Sequence, residues 1–93
     1  MKLLEGKTSI ITGAARGIGR SVAVKFAEQG SNIAFTDLVF DDNMKSLEEQ
    51  LGALGVKAKG YVSNAGKLSD SEKLAENVTT DFGRIDVLVN NAG

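Results

Sequence analysis

The sequence contains no cysteine and no histidine. Without cysteine the chain forms no disulfide and offers no thiolate nucleophile, and without histidine it has no imidazole base. Most zinc sites in proteins also use one of these two residue types. The two absences therefore exclude disulfide scaffolds, cysteine- or histidine-based catalysis and most zinc centres, and we expect no metal site.

A strong charge of one sign and a long apolar run are missing as well. Eleven basic and twelve acidic residues give a net charge of −1, which does not indicate a nucleic-acid or membrane-surface partner. No apolar run approaches the roughly 20 residues of a membrane-spanning helix, and residues 1–5 lack the apolar centre of a secretory signal. We therefore expect a cytoplasmic protein that binds neither nucleic acid nor a membrane.

Length and composition indicate one small globular domain. The 93 residues are 42% apolar and 25% charged, which are ordinary values for a globular protein. A chain of this length buries only about 60–65% of its unfolded surface. No repeat, linker or low-complexity segment interrupts the sequence, so a single unit with a modest core is expected.

Short apolar runs alternate with helix-like patterns along the chain. Compact β-branched runs that end at glycine or a polar residue predict strands, and apolar residues repeated every three or four positions predict helices. The predicted strands cover 7–12, 32–36, 56–62 and 85–89. The predicted helices lie between 17 and 30, 41 and 55, and 69 and 83, and Ser69 with Glu72 matches a capping box at the start of the third helix.

This alternation predicts the fold class. A βαβαβαβ order with short connections folds by right-handed crossovers into a Rossmann-type parallel sheet of order 3-2-1-4, with helices on both faces. Such a sheet reverses direction between strands one and four, and ligands bind outside the carboxyl ends of strands at that point. Gly13, Asp37, Asn64 and Asn91 all follow strand ends on this rim.

The segment T-G-A-A-R-G-I-G at 12–19 joins the first strand to the first helix. Gly13 permits a tight bend, while Gly17 and Gly19 let the backbone approach a pyrophosphate, whose charge the helix N-terminus favours. Three residues separate Gly13 from Gly17, whereas the usual dinucleotide fingerprint has one at this point. A glycine-rich turn without a ligand is the alternative for this segment taken alone.

Asp37 and Arg16 favour different dinucleotides. Asp37 ends the second strand eighteen residues after Gly19, where a carboxylate accepts hydrogen bonds from an adenosine ribose; the alternative is that it caps a loop. Its charge would repel the 2′-phosphate of NADP by roughly 4 kcal/mol at 4 Å and an effective dielectric of 20, which favours NAD. The Arg16 guanidinium would instead pair with that phosphate, unless it is simply solvated.

The other two rim segments carry amides. Asn64 has donors and acceptors that suit an adenine edge, with Ala65 beside it, although an ordinary turn asparagine is the alternative. Residues 90–93, N-N-A-G, suit either a brace beneath the sheet or a cofactor contact, and the residue types do not separate the two. Asp86 is interpreted as a strand-start residue without chemistry.

Four segments together resemble the short-chain dehydrogenase/reductase family. They are T-G-A-A-R-G-I-G at 12–19, the acid at 37, F-G-R-I-D-V-L-V at 82–89 and N-N-A-G at 90–93. The resemblance covers essentially the whole chain, and its glycine spacing and N-N-A-G segment are far more specific than a glycine triplet. Within the family the opening segment is most similar to bacterial 3-oxoacyl-[acyl-carrier-protein] reductases, although sugar and polyol dehydrogenases share much of it.

The resemblance implies which residues contact a nicotinamide dinucleotide, NAD(H) or NADP(H). They are Gly13, Ala15, Arg16, Gly17, Ile18 and Gly19 at the phosphates, Asp37 and Leu38 at the ribose, Asn64 and Ala65 at the adenine, and Asn91, Ala92 and Gly93 on the nicotinamide side. Asn90 would brace the sheet. Reductases of fatty-acid synthesis usually take NADPH, whereas Asp37 favours NAD(H).

The resemblance also implies reduction of a ketone on an acyl chain carried by acyl carrier protein, in a homotetramer. That reaction needs a tyrosine with a lysine four residues later, and a serine, all beyond N-N-A-G. Tyr61 is followed four residues later by Ala65, so it is interpreted as structural and no catalytic residue is assigned.

We therefore expect the N-terminal, cofactor-binding half of an oxidoreductase, inactive alone. Ending at Gly93 would leave 85–89 as an exposed apolar edge prone to aggregation. A non-catalytic nucleotide-binding module is the alternative. A methyltransferase-like or flavodoxin-like half sheet is disfavoured by Asn91 and the glycine spacing.

Overall fold

The computed structural model describes residues 2–91 and contains every predicted helix and strand. None of the helices in this range is long and apolar enough to cross a membrane. The elements alternate as predicted, which confirms the α/β class. They are β1 (Thr8–Ile11), α1 (Gly17–Glu28), β2 (Asn32–Asp37), α2 (Asp42–Ala53), β3 (Ala58–Val62), α3 (Leu68–Phe82) and β4 (Val87–Val89).

The four strands form one parallel sheet in the order β3-β2-β1-β4, which confirms the predicted order. In the middle of the sheet Ile10 lies opposite Ala34 on one side and Leu88 on the other. β3 pairs with β2 and occupies one edge. Because all four strands run the same way, their carboxyl ends meet along one rim.

Apolar side chains fill both faces of the sheet. On one face α1 and α2 pack on the sheet, and the apolar stripe of Met44, Leu47 and Leu51 is fully buried as its spacing indicated. On the other face α3 packs Leu74 and Val78 onto the sheet. Each helix therefore has a fixed position relative to the rim.

The start of α2 is fixed by a capping carboxylate. Asp41 Oδ1 accepts hydrogen bonds from the backbone N–H groups of Asn43 at 3.0 Å and Met44 at 3.2 Å. This arrangement satisfies two of the four N–H groups that have no acceptor inside the helix. The second carboxylate oxygen, Oδ2, lies 3.7 Å from Arg16 Nη2.

The capping box predicted at Ser69 and Glu72 is wrong. α3 begins at Leu68, its N-cap is Lys67, and no side chain caps it. The turn before it closes when Lys67 N donates to Asn64 O at 2.9 Å, so the chain enters the helix before Ser69 and places that residue in the first turn.

Asp86 lies directly before β4, which begins two residues later than predicted. Its Oδ2 accepts from Thr8 N at 2.9 Å, and its own N–H donates to Thr8 O at 2.9 Å. Arg84 also donates two 2.7 Å hydrogen bonds to the carboxylate. Asp86 thus joins the start of β4 to β1, which agrees with its interpretation as a strand-start residue.

Candidate functional site

An open cleft of about 700 Å³ runs along the rim between the ends of the strands. Its walls are Gly13, Arg16, Thr36, Asp37, Leu38, Ser63, Asn64, Ala65, Gly66 and Asn91. Ala15, Gly17, Ile18 and Gly19, the other predicted phosphate-loop residues, continue from this wall into the first turn of α1. Ala92 and Gly93 lie outside the described residues.

The loop between β1 and α1 depends on two glycines with positive φ. Gly13 has φ 63° and Gly17 has φ 65°, a region that side-chain-bearing residues seldom adopt. Ala14 N donates to Thr36 O at 3.0 Å and ties the loop to β2. The loop therefore places the N-cap of α1, and with it the positive end of the helix dipole, at the cleft.

Gly19 has no side chain because protein atoms occupy that space. A Cβ at this position would lie 2.4 Å from Gly13 O and 2.6 Å from Asn91 Nδ2. From the sequence, this glycine is predicted to let the backbone approach a pyrophosphate, and the structure adds a packing reason for it. The absence of a side chain lets α1 pack on the loop and on the segment after β4.

Asp37 holds the glycine loop and the end of β2 together. Its Oδ2 accepts from Ala15 N at 3.3 Å, and its Oδ1 accepts from Leu38 N at 2.9 Å. The hydrogen bond from Leu38 caps the loop after β2, which is the alternative role given for Asp37 from the sequence. An ionised carboxylate has about four lone-pair sites, so Asp37 retains acceptor capacity toward hydroxyl groups in the cleft.

Arg16 extends from the glycine loop toward α2. Its side chain is 72% exposed, and Nη2 lies 3.7 Å from Asp41 Oδ2. Arg16 is the N-cap residue of α1, but its side chain makes no capping hydrogen bond. The guanidinium therefore stands at the mouth of the cleft, paired with the residue that caps α2.

Asn64 forms a turn and still has one unpaired donor. Its Oδ1 accepts from Gly66 N at 2.9 Å, and its own N–H donates to Asp70 Oδ2 at 2.9 Å. This is the turn-asparagine alternative from the sequence analysis. Within residues 2–91 the side-chain Nδ2 has no hydrogen-bond partner, which leaves a donor beside Ala65 on the cleft wall.

A hydrogen-bonded brace joins the ends of β1 and β4. Thr12 Oγ1 donates to Asn90 Oδ1 at 3.1 Å and accepts from Asn91 N at 3.0 Å. Asn91 Nδ2 also donates to Gly13 O at 3.2 Å. Asn90 therefore contacts the sheet while Asn91 lines the cleft, a division that the residue types did not give and that the family resemblance implied.

Arg20, which no sequence pattern indicated as a site residue, is the main polar link between the glycine loop and α2. Nη1 donates to Ala15 O at 3.2 Å and to Asn43 O at 3.1 Å. Nη2 donates to Ser46 Oγ at 3.0 Å and to Gln50 Oε1 at 3.1 Å. All four acceptors are formally neutral, so these contacts hold the guanidinium without pairing its charge.

Tyr61 does not line the cleft. Its hydroxyl donates to Asp81 Oδ2 at 2.6 Å. Burial, together with the hydrogen bond to Asp81 and its negative charge, raises the pKa of the Tyr61 phenol well above the ordinary 10.0. The residue is therefore a poor proton donor and joins β3 to the end of α3, in line with its structural interpretation.

The chain is similar in sequence to a known protein family and to individual enzymes. The model of the short chain dehydrogenase family matches residues 7–93. The 3-oxoacyl-[acyl-carrier-protein] reductase of Staphylococcus epidermidis is 39% identical over 87 residues, which are 94% of this chain and 36% of the relative.

Two solved structures show the same architecture. A NAD⁺-bound xylitol dehydrogenase superposes with a TM-score of 0.91 at 35% identity, over 99% of this chain and 35% of the other. A metagenomic short-chain oxidoreductase in complex with NADP gives a TM-score of 0.88 at 32% identity, over 97% and 40% of the two chains. The chain thus spans between a third and two fifths of the length of these proteins.

Proposed function

Because this chain belongs to the short-chain dehydrogenase family, we propose that it is the N-terminal, dinucleotide-binding half of a nicotinamide-dependent oxidoreductase domain. One observation carries this proposal. Asp37, the glycine loop and Asn91 come from three different strand ends and line one cleft. A nicotinamide dinucleotide needs that combination of a ribose acceptor, a phosphate cradle and amide contacts.

The residues fit such a cofactor in three places. The backbone N–H groups at the start of α1 would hold the pyrophosphate. Gly13 and Gly17 have the positive φ angles that shape the loop before this helix. Asp37 would accept from the adenosine ribose, and the Asn64 amide with Ala65 would contact the adenine. Asn91, with Ala92 and Gly93, would line the nicotinamide side. The cofactor supplies hydride transfer when bound, and these residues orient it.

For the whole protein we propose reduction of a 3-oxoacyl group on acyl carrier protein. The 39% identity to the reductase of Staphylococcus epidermidis supports this substrate class, and so does the similarity of the opening segment to that subgroup. By the same analogy the protein would be a cytoplasmic homotetramer. The tyrosine, lysine and serine of the reaction would come from the part of the domain that this chain does not include.

A second candidate is oxidation of a polyol or related alcohol with NAD. Asp37 favours this candidate, because its carboxylate suits a free 2′-hydroxyl and repels a 2′-phosphate. The similarity to a NAD⁺-bound xylitol dehydrogenase adds support. A nucleotide-binding module without catalysis is the third candidate.

Calorimetric titration of the purified protein with NAD⁺, NADP⁺ and ADP-ribose tests the binding proposal. We expect NAD⁺ and ADP-ribose to bind, and Gly19→Ala to abolish this binding because the new Cβ meets Gly13 O at 2.4 Å. Gly52→Ala is the matched control, since nothing lies within 4 Å of that position. Circular dichroism of both variants separates loss of the site from loss of the fold.

Absence of binding by a folded wild-type protein would contradict the binding proposal.

If the dinucleotide binds, activity assays of the full-length protein separate the three candidate functions. Oxidation of NADPH with an acetoacetyl thioester of acyl carrier protein supports the first candidate, and reduction of NAD⁺ with xylitol supports the second. Binding without either activity, across a panel of ketones and alcohols, favours the module.

A further inference from the structure

We infer that Asp41 lowers the affinity of the cleft for a 2′-phosphate by pairing with the Arg16 guanidinium and so competing with the phosphate for it. In this role Asp41 acts through Arg16, and its effect is separate from the repulsion of the phosphate by Asp37. The inference rests on the proposed dinucleotide function of the cleft. It concerns a residue outside the cleft wall that the sequence analysis did not single out as a site residue.

The two oxygens of Asp41 have separate tasks. Oδ1 accepts from the N–H groups of Asn43 and Met44 at 3.0 and 3.2 Å. These two bonds fix the carboxylate at the start of α2. Oδ2 consequently points at the Arg16 guanidinium, 3.7 Å away, so the cap itself positions the negative charge that pairs with Arg16.

Arg16 has no other anchor among residues 2–91. Its backbone has the extended conformation of an N-cap residue, and its side chain makes no capping bond. The side chain is 72% exposed, and its one ion pair in this range is the one with Asp41. A 2′-phosphate in the cleft would have to compete with Asp41 for the guanidinium.

Arg20 does not replace Arg16 in this role. Its guanidinium already donates to the carbonyls of Ala15 and Asn43 and to the side chains of Ser46 and Gln50. Among the described residues that line the cleft, Arg16 is the only cation. Whether that cation is paired with Asp41 or free to pair with the ligand therefore affects how strongly a 2′-phosphate is excluded.

Asp41→Asn tests the inference, because asparagine caps helices as well as aspartate does while the negative charge disappears. The ligands are ADP-ribose and its 2′-phosphorylated form, titrated into the purified protein. We expect affinity for the 2′-phosphorylated form to rise about two- to fivefold, the range typical of an exposed ion pair. Affinity for ADP-ribose stays unchanged.

Two comparisons separate this mechanism from a general charge effect. Asp42→Asn removes the same charge one position later, at an exposed residue with no ion pair to Arg16 among the described residues. It should leave the affinity ratio unchanged. In an Arg16→Gln background, Asp41→Asn should lose most of its effect, because the residue through which it acts is missing.

An equal gain from Asp42→Asn, or an undiminished gain in the Arg16→Gln background, would overturn the inference and point to plain repulsion of the phosphate. No gain in Asp41→Asn would overturn it as well. If Asp41→Asn does not fold, Asp41→Ser retains a capping oxygen and takes its place. Failure of ADP-ribose to bind the wild type would instead count against the proposed function.

Discussion

Two adjacent residues of β1 carry buried hydroxyl groups that differ in hydrogen bonding, and they should therefore differ in their effect on stability. Thr8 is 1% exposed, and its Oγ1 has no hydrogen-bond partner among the described residues. The next residue, Ser9, is fully buried and places its Oγ 2.7 Å from Ser31 Oγ. A buried hydroxyl stabilises a protein only when it is paired, so the two positions should respond oppositely to removal of the hydroxyl.

We predict that Thr8→Val raises the free energy of unfolding by about 1 kcal/mol, because it removes an unpaired polar atom and keeps the shape. Ser9→Ala should lower it by about 1 kcal/mol, since it breaks a buried pair. Urea denaturation of the purified variants measures both changes. A loss of stability in Thr8→Val would mean that the hydroxyl does have a partner, such as a buried water.

For single residues, the sequence predicted those whose place in the site follows from their own segment of the chain. Asp37 directly follows its strand and Arg16 lies inside the glycine loop, so both could be placed on the rim from the pattern alone. Arg20 could not, because its acceptors on Asn43, Ser46 and Gln50 come together only when α1 packs on α2. Nothing in a lone arginine on a helix indicates those partners.

At the scale of elements, one carboxylate anchors the end of α3 to β3. Asp81 Oδ2 accepts from Tyr61 Oη at 2.6 Å and from Lys59 Nζ at 2.9 Å. Lys57 Nζ donates to the Asp81 carbonyl and lies over the Phe82 ring. The hydrogen bond from Tyr61, followed by that from Lys59, lowers the pKa of the Asp81 carboxyl below its ordinary 3.8.

A lowered pKa makes this anchor sensitive to acid. The folded state binds the Asp81 proton more weakly than the unfolded chain does, so the stabilisation is complete above pH 3.8 and is lost as pH falls through the lowered pKa. We predict that Asp81→Asn is less stable than wild type at pH 7 and that the difference shrinks below about pH 4. Denaturation at a series of pH values checks this.

Tyr61→Phe provides the companion measurement, because it removes the first donor to Asp81 and keeps the ring. The acid loss of stability should then begin at a higher pH than in the wild type, since the pKa of Asp81 moves back toward 3.8. An unchanged acid profile in both variants would show that the anchor contributes nothing to stability.

Element positions followed from the sequence more readily than element ends. Compact apolar runs located every strand, and apolar periodicity located every helix, because the stripes that produce it, such as Met44, Leu47 and Leu51, are buried in the structure. The start of α3 was misplaced because Ser69 and Glu72 match a capping pattern, whereas the turn closed by Asn64 and Lys67 determines where the helix begins. That turn depends on the position of β3, which local pattern does not reveal.

For the whole molecule, topology brings the predicted site together. The glycine loop, Asp37 and Asn64 follow β1, β2 and β3, and only the parallel order β3-β2-β1-β4 places them on one cleft. The βαβ alternation predicts a parallel sheet, and the glycine spacing together with Asn91 favours that order over a flavodoxin-like one, which is why the rim could be identified from the sequence. The depth of the cleft and the Arg16–Asp41 pair depend on helix packing and required the structure.

The same topology places an apolar strand at the edge of the sheet. Within residues 2–91, β4 pairs with β1 alone, and Leu88 is 64% exposed. Ile85 and Leu88 border an apolar recess beside α3. An uncovered apolar edge strand presents backbone donors and acceptors to other chains, so the 93-residue chain produced alone should self-associate through β4.

We predict that Leu88→Lys shifts the isolated 93-residue chain toward monomer, because a lysine on an edge strand opposes strand pairing between molecules. Sedimentation velocity over a range of concentrations measures this shift. Leu68→Lys is the matched control, since Leu68 is even more exposed at 76% but lies in the first turn of α3 and not on the edge strand. If both variants reduced association equally, general apolar exposure and added charge would explain it, and the strand edge would have no special part.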